Sequence, residues 1–78
     1  MSDINFNKII KIIAKHTKVK EEFINLETSA ETIERWDSLA HINIIVDMEK
    51  NFNIQIKTAK VGELNSVKSI IQFLDKLK

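Results

Sequence analysis

The stretch WDSLAHINIIVDMEKNF, residues 36–52, decides how this chain of 78 residues folds. Its apolar residues recur at the spacing of a helix, and a polar, acidic segment precedes them. We therefore predict a helix over about residues 38–51 that begins at Ser38. The Ser38 hydroxyl then lies in the first helical turn, beside backbone N–H groups that have no partner within the helix.

A serine at such a position has two possible roles. It can cap the helix by accepting a backbone hydrogen bond, which contributes about 1 kcal/mol. It can instead carry a covalently attached group, whose phosphate is favoured by the positive end of the helix dipole. The residue type favours the cap, whereas the surrounding sequence favours the attachment.

Length and composition limit the class of protein. We expect residues 1–78 to form one domain, because the chain is short and 44% of its residues are hydrophobic. It has no cysteine, which excludes disulfides and thiolate metal sites. No apolar run approaches the roughly 20 residues of a membrane span, and the N-terminus lacks a signal-peptide core. These features predict a soluble cytoplasmic domain.

Hydrophobic periodicity predicts an all-α fold, a small four-helix bundle with a long loop between helices 1 and 2 and a short third helix. The expected helices cover about residues 3–16, 38–51, 58–64 and 66–77. For the first, third and fourth helices, the expected capping residues are Ser2 or Asp3, Thr58 and Ser66.

The long loop, residues 17–37, is predicted to be fixed by its apolar side chains, which are Phe23, Ile24, Leu26, Ile33 and Trp36. Residues 20–37 also hold six acidic side chains against Lys20 and Arg35. Such a charge run can be an ordinary solvated face. It can also form a negative rim that steers basic partners towards Ser38.

The second helix has more apolar residues than one buried face of a small bundle requires. Its expected core residues are Ile44, Ile45, Met48 and Phe52. Leu39, Ile42 and Val46 lie on a face rotated from these, next to Ser38. The helix could be buried on all sides, but we favour an exposed apolar patch that forms a partner-docking surface.

Catalytic and metal chemistry find little support. A nucleophilic serine needs a base, and the only histidines are His16 and His41. His41 could touch Ser38, yet no acid is placed to orient its ring, and we expect both histidines at the surface. The only glycine is Gly62, so there is no phosphate-binding loop. We predict no enzyme, no metal site and no nucleic-acid partner.

The motif Asp37-Ser38-Leu39 and the segment Met48-Glu49-Lys50-Asn51-Phe52 resemble the acyl carrier proteins and related phosphopantetheine-binding carrier domains. In that family the second segment typically reads Leu-Glu-x-x-Phe. The likeness covers about residues 4–77. Apolar residues at later positions of the family pattern are Ile56, Leu64, Val67, Ile70 and Ile71. The residues around Ser38, Trp36-Asp37-Ser38-Leu39-Ala40-His41, are most similar to those of free-standing carriers of specialised pathways.

The resemblance implies a function. Ser38 is expected to receive 4′-phosphopantetheine from coenzyme A, transferred by a phosphopantetheinyl transferase, the holo-carrier synthase, with magnesium in that enzyme's site. Asp37 would cap the helix or help the transferase dock. The carrier would hold acyl or aminoacyl groups as thioesters, for fatty acid, polyketide or other biosynthesis. Its further partners would be an acyl or aminoacyl ligase and acyltransferase or synthase enzymes, which a monomer could visit in turn.

The chain also departs from the family pattern. Ala40 and Asn43 stand where the carriers of fatty acid synthesis have acidic residues, and Lys57 replaces a common proline. These departures favour a dedicated pathway and partner docking through apolar contacts. The alternative is an unmodified helical module that binds protein or nucleic acid, in which Ser38 is a helix cap.

Overall fold

The computed structural model describes residues 3–76. In this range the chain forms four α-helices, α1 (Asp3–Thr17), α2 (Ser38–Phe52), α3 (Thr58–Val61) and α4 (Val67–Lys76). A short 3-10 helix, Glu21–Phe23, lies in the connection between α1 and α2. No strand forms between residues 3 and 76, where one isolated β-bridge joins Ser29 and Ser66. The prediction of an all-α bundle with a long first loop and a short third helix is confirmed.

Helices α1, α2 and α4 enclose the core, and α1 packs against both of the others. Burying one large aliphatic side chain stabilises a fold by roughly 1.5–3 kcal/mol, so these side chains hold the helices together. None of the described helices is both long and apolar enough to cross a lipid bilayer. The buried apolar side chains described on the three packed helices are Ile9, Ile10, Ile12, Ile13, Ala40, Ile44, Ile45, Met48, Val67, Ile70, Ile71 and Leu74.

The caps of the later helices differ from one another. Ser66 caps α4 as predicted, because its Oγ accepts a hydrogen bond from the Ser69 N–H at 3.1 Å. The Ser69 Oγ accepts one from the Ser66 N–H at 3.2 Å, so the two serines cap reciprocally. The prediction for Thr58 is wrong, since Lys57 holds the N-cap position of α3 without a side-chain cap. Helix α3 ends at Val61, three residues earlier than predicted.

Two predicted helix ends lie outside the described residues. They are the cap of α1, assigned to Ser2 or to the side chain of Asp3, and the end of α4 at Leu77.

Backbone hydrogen bonds hold the long loop to the start of α4. The Ala30 N–H donates to the Asn65 carbonyl at 2.8 Å, and the Val67 N–H donates to the Thr28 carbonyl at 2.9 Å. These bonds surround the bridge between Ser29 and Ser66. The loop is therefore fixed by its backbone as well as by its side chains.

The predicted apolar anchors of the loop are only partly right. Ile24 and Trp36 are buried, and Ile33 packs against the core. Phe23 and Leu26 are exposed, at 66% and 39% of their surface, so the prediction is wrong for these two. A loop that lies on a core has only one side facing inwards. In this part of the loop Ile24 is on that side, and Phe23 and Leu26 face outwards.

Glu49 explains the shape of the chain after α2. Asn53 ends the helix in the left-handed conformation, with φ 53°, and its N–H donates to the Glu49 carbonyl. The Glu49 carboxylate accepts a hydrogen bond from the Ile56 N–H at 2.8 Å. One side chain thus bends the connection back towards α3, with Ile56 buried.

Candidate functional site

Asp37 is the N-cap of α2. Its backbone is extended, and its Oδ1 accepts a hydrogen bond from the Ala40 N–H at 2.9 Å. Its carbonyl accepts the first helical bond, from the His41 N–H, at 2.9 Å. A side-chain cap of this kind contributes about 1 kcal/mol to helix stability. The expectation that Asp37 caps the helix is confirmed.

Ser38 is the first residue of α2 and is exposed. Its hydroxyl takes part in no hydrogen bond among residues 3–76, because Asp37 already supplies the cap. The alternative that made Ser38 the helix cap is therefore wrong. An accessible hydroxyl without a structural partner suits a covalent attachment site, so this position fits the phosphopantetheine group that the resemblance implies.

Helix α2 presents two different apolar faces. Ile44, Ile45 and Met48 are buried, as predicted, and Phe52 is half-buried against the core. Leu39, Ile42 and Val46 are exposed at 69%, 55% and 41% of their surface. These three residues, the apolar face, share one side of the helix, since they are three and four residues apart. The predicted exposure is confirmed, and burial on all sides is wrong.

Two hydrogen bonds of His41, in the first turn of α2, connect this turn to the preceding loop and to α3. The buried Trp36 donates its Nε1–H to His41 Nδ1 at 3.0 Å. His41 Nε2 lies 2.6 Å from the Val61 carbonyl at the end of α3. Since Nδ1 accepts a hydrogen bond, the proton of a neutral ring is on Nε2, which donates to that carbonyl. His41 therefore links the loop, α2 and α3.

Neither histidine is placed to activate Ser38. Both ring nitrogens of His41 are engaged by Trp36 and Val61. His16 Nε2 binds Asp47 Oδ2 at 2.6 Å. The expectation that both histidines lie at the surface is wrong, because each is half-buried and hydrogen-bonded. Neither histidine is therefore free to act as a general base for Ser38 in this arrangement.

The bond between His16 and Asp47 joins the end of α1 to the middle of α2. This hydrogen bond lowers the pKa of Asp47 below its ordinary value of 3.8, against partial burial, which raises it. The positive charge of Lys15, whose Nζ lies 3.6 Å from Asp47 Oδ2, lowers the pKa further. The Asp47 carboxylate is therefore engaged by side chains of α1.

A groove of about 330 Å³ lies beside Ser38. Two of its lining residues, Asp37 and Leu39, flank the serine in the chain. Lys18, the residue after α1, and Arg35, near the end of the loop, contribute cationic side chains. The complete lining is His16, Thr17, Lys18, Arg35, Asp37, Leu39, Ala40 and Asn43.

Sequence reasoning missed most of this surrounding structure. It assigned no role at the site to Lys18, Arg35 or Val61, and it treated His41 as a surface residue. Lys18 is twenty residues before Ser38, and only the packing of α1 on α2 brings it to the groove. The bond between Trp36 and His41 could have been anticipated from the sequence. The two residues lie only five positions apart, one before and one after the predicted start of the helix.

Comparison with known proteins gives a match over nearly the whole chain. A protein named acyl carrier protein from Trieres chinensis is 27% identical to this chain over 75 residues. The matched part covers 96% of this chain and 94% of that protein. No family model matches the sequence. The full-length similarity supports a relationship to the acyl carrier proteins.

Proposed function

We propose that this chain, a relative of the acyl carrier proteins, is a non-catalytic carrier. It holds acyl or aminoacyl intermediates as thioesters on a 4′-phosphopantetheine arm attached to Ser38. The observation that carries the proposal is the exposed, unbonded Ser38 hydroxyl beside an aspartate that already caps the helix. Full-length similarity to an acyl carrier protein supports the same function.

The arm supplies a thiol that the chain itself lacks. The sequence contains no cysteine, so a thioester needs an imported sulfur. Attachment joins the Ser38 oxygen to the pantetheine-bearing phosphorus of coenzyme A, and the nucleotide part of coenzyme A leaves. The hydroxyl proton passes to a base of the transferase, because His16 and His41 are engaged elsewhere. The tethered cargo then meets each partner at high effective concentration.

We further propose that partner enzymes dock on the apolar face of Leu39, Ile42 and Val46. These partners are a phosphopantetheinyl transferase, a ligase that loads the cargo and an enzyme that uses it, and the carrier visits them as a monomer. The residues between Leu39 and Val46 include no acidic side chain. Asp37 is the one acidic residue in the lining of the groove. Docking through apolar contacts predicts weak dependence on salt.

Mass spectrometry tests the attachment. The protein is incubated with coenzyme A, magnesium and a broad-specificity phosphopantetheinyl transferase, and its intact mass is measured. We expect the gain of one phosphopantetheine in the wild type and none in Ser38→Ala. Ser29→Ala is the matched control, since Ser29 is a loop serine whose Oγ accepts a hydrogen bond from the Glu31 N–H. Loss of modification in Ser29→Ala, or its persistence in Ser38→Ala, would contradict the proposal.

Transferase kinetics test the docking face. Ile42→Ser removes the central side chain of the face, and we expect KM for the carrier to rise several-fold with little change from added salt. Leu26→Ser is the control, because Leu26 is also an exposed apolar residue but lies outside the face. Equal effects of the two substitutions, or a KM that rises steeply with salt in the wild type, would refute docking on this face.

A further inference from the structure

The groove beside Ser38 lies on the α1 side of α2. His16, Thr17 and Lys18 come from the end of α1 and the residue after it, and no residue of α3 contributes to its lining. Its volume of about 330 Å³ is at the lower end of the range for small-molecule sites, roughly 300–1,000 Å³. A groove of this size accommodates a small group rather than a large ligand.

The charges of the groove favour an anion. Lys18 and Arg35 are exposed cations in its lining. The one carboxylate there, Asp37, uses its Oδ1 to accept the Ala40 N–H, and His16 is held by Asp47. An arginine guanidinium forms strong, paired hydrogen bonds to phosphate oxygens, and a lysine adds a point charge.

The remaining lining suits a short chain of mixed polarity. Leu39 is largely exposed and apolar, Ala40 contributes a methyl group, and the exposed Asn43 offers an amide that can donate and accept. These three residues follow Ser38 along the first turn and a half of α2. A group attached to Ser38 and turned towards α1 would meet them in order.

We propose that the groove binds the phosphate of the arm carried by Ser38, between Lys18 and Arg35, with the adjoining pantetheine chain against Leu39, Ala40 and Asn43. This inference rests on the proposed attachment. The covalent bond holds the phosphate beside residues that flank Ser38, so weak contacts suffice at such an effective concentration. The arm thus rests on the α1 side of α2, and Ile42 and Val46 remain open to partners.

Nuclear magnetic resonance of the apo and loaded protein tests the inference. Attachment alone changes the amide resonances next to Ser38 in the chain. Contact with the groove should in addition shift those of Thr17 and Lys18, which are about twenty residues away in sequence. We expect these shifts in the wild type. In the double variant Lys18→Gln, Arg35→Gln, attachment should no longer shift the amide resonances of Thr17 and of position 18.

Lys20→Gln is the matched control, because Lys20 is also an exposed lysine near the end of α1 but does not line the groove. It should keep the wild-type shifts. Intact mass is recorded for each sample to separate two failures. A protein that gains the arm without shifts at Thr17 and Lys18 would overturn this inference alone. A protein that gains no mass would overturn the proposed function and this inference with it.

Discussion

Helices α1 and α3 both contact α2, but different forces hold them there. Helix α1 has 15 residues, four buried isoleucines and the bond from His16 to Asp47. Helix α3 has four residues, none of them buried, and its last carbonyl is bound by His41. Four buried isoleucines hold α1 in place, whereas α3 is held by the half-buried Val61 and by the bond from His41 to the Val61 carbonyl. Helix α3 is therefore held by less buried surface than α1.

The largest difference in stability between variants of α1 and variants of α3 should come from substitution of core residues. Ile13 on α1 is fully buried, so Ile13→Ala should lower the free energy of unfolding by about 2–5 kcal/mol. Val61 at the end of α3 is only half-buried, and Val61→Ala should cost about 1 kcal/mol or less. Urea denaturation measures both. Equal losses would remove the distinction between α1 and α3.

Removal of His41 should loosen α3 without disturbing α1. His41→Ala leaves the Trp36 Nε1–H without its partner, which costs about 1–3 kcal/mol. The Val61 carbonyl then keeps only its long hydrogen bond from the Leu64 N–H, at 3.3 Å. Exchange of the Lys60 and Glu63 amide protons with solvent should accelerate, while exchange in α1 stays unchanged. The control is Trp36→Phe, which keeps the bond from His41 to Val61 and should preserve protection in α3. Unchanged exchange in His41→Ala would show that α3 is held by something else.

The start of α2 offers the same contrast between two neighbouring residues. Asp37→Ala removes the cap and should cost about 1 kcal/mol. Ser38→Ala removes a hydroxyl that has no described partner, and should change stability by no more than about 0.5 kcal/mol. Thermal and urea unfolding of the two variants compare them directly. A larger loss in Ser38→Ala than in Asp37→Ala would assign Ser38 a structural role.

The smallest effect concerns the ion pair on the α1 side. Because the pKa of Asp47 is lowered in the folded state, the unfolded chain takes up this proton first as pH falls. The stabilisation is thus present above the ordinary value of 3.8 and is lost as pH falls through the folded pKa. Asp47→Asn should cost below about 1 kcal/mol near neutral pH. The gap from wild type should close on acidification, and a gap that persists in acid would contradict this linkage.

Sequence periodicity predicted the helices that bury a face and failed where burial is slight. Helices α1, α2 and α4 have strong apolar spacing, and their bounds were close to those observed. Helix α3 has no fully buried residue and only Val61 packs against the core, so its end at Val61 and its missing side-chain cap left little pattern to detect. The bridge between Ser29 and Ser66 uses backbone atoms, which carry no residue signature.

The site was predicted where local rules apply. Ser38 as an exposed first residue and the exposed apolar face follow from helix geometry. The cap by Asp37 was expected only from the resemblance to the carrier family. The bonds from His16 to Asp47 and from His41 to Val61, and the place of Lys18 in the groove, depend on how distant segments pack, so they could not be read from spacing.

The most direct test of the account is to locate the attached group within the chain. After the transferase reaction the protein is digested, and the peptides are fragmented in a mass spectrometer. We predict that the phosphopantetheine lies on the Ser38 side chain and on no other residue. A protein that stays unmodified under conditions that load a known carrier, or that carries the group on another serine, would contradict the account.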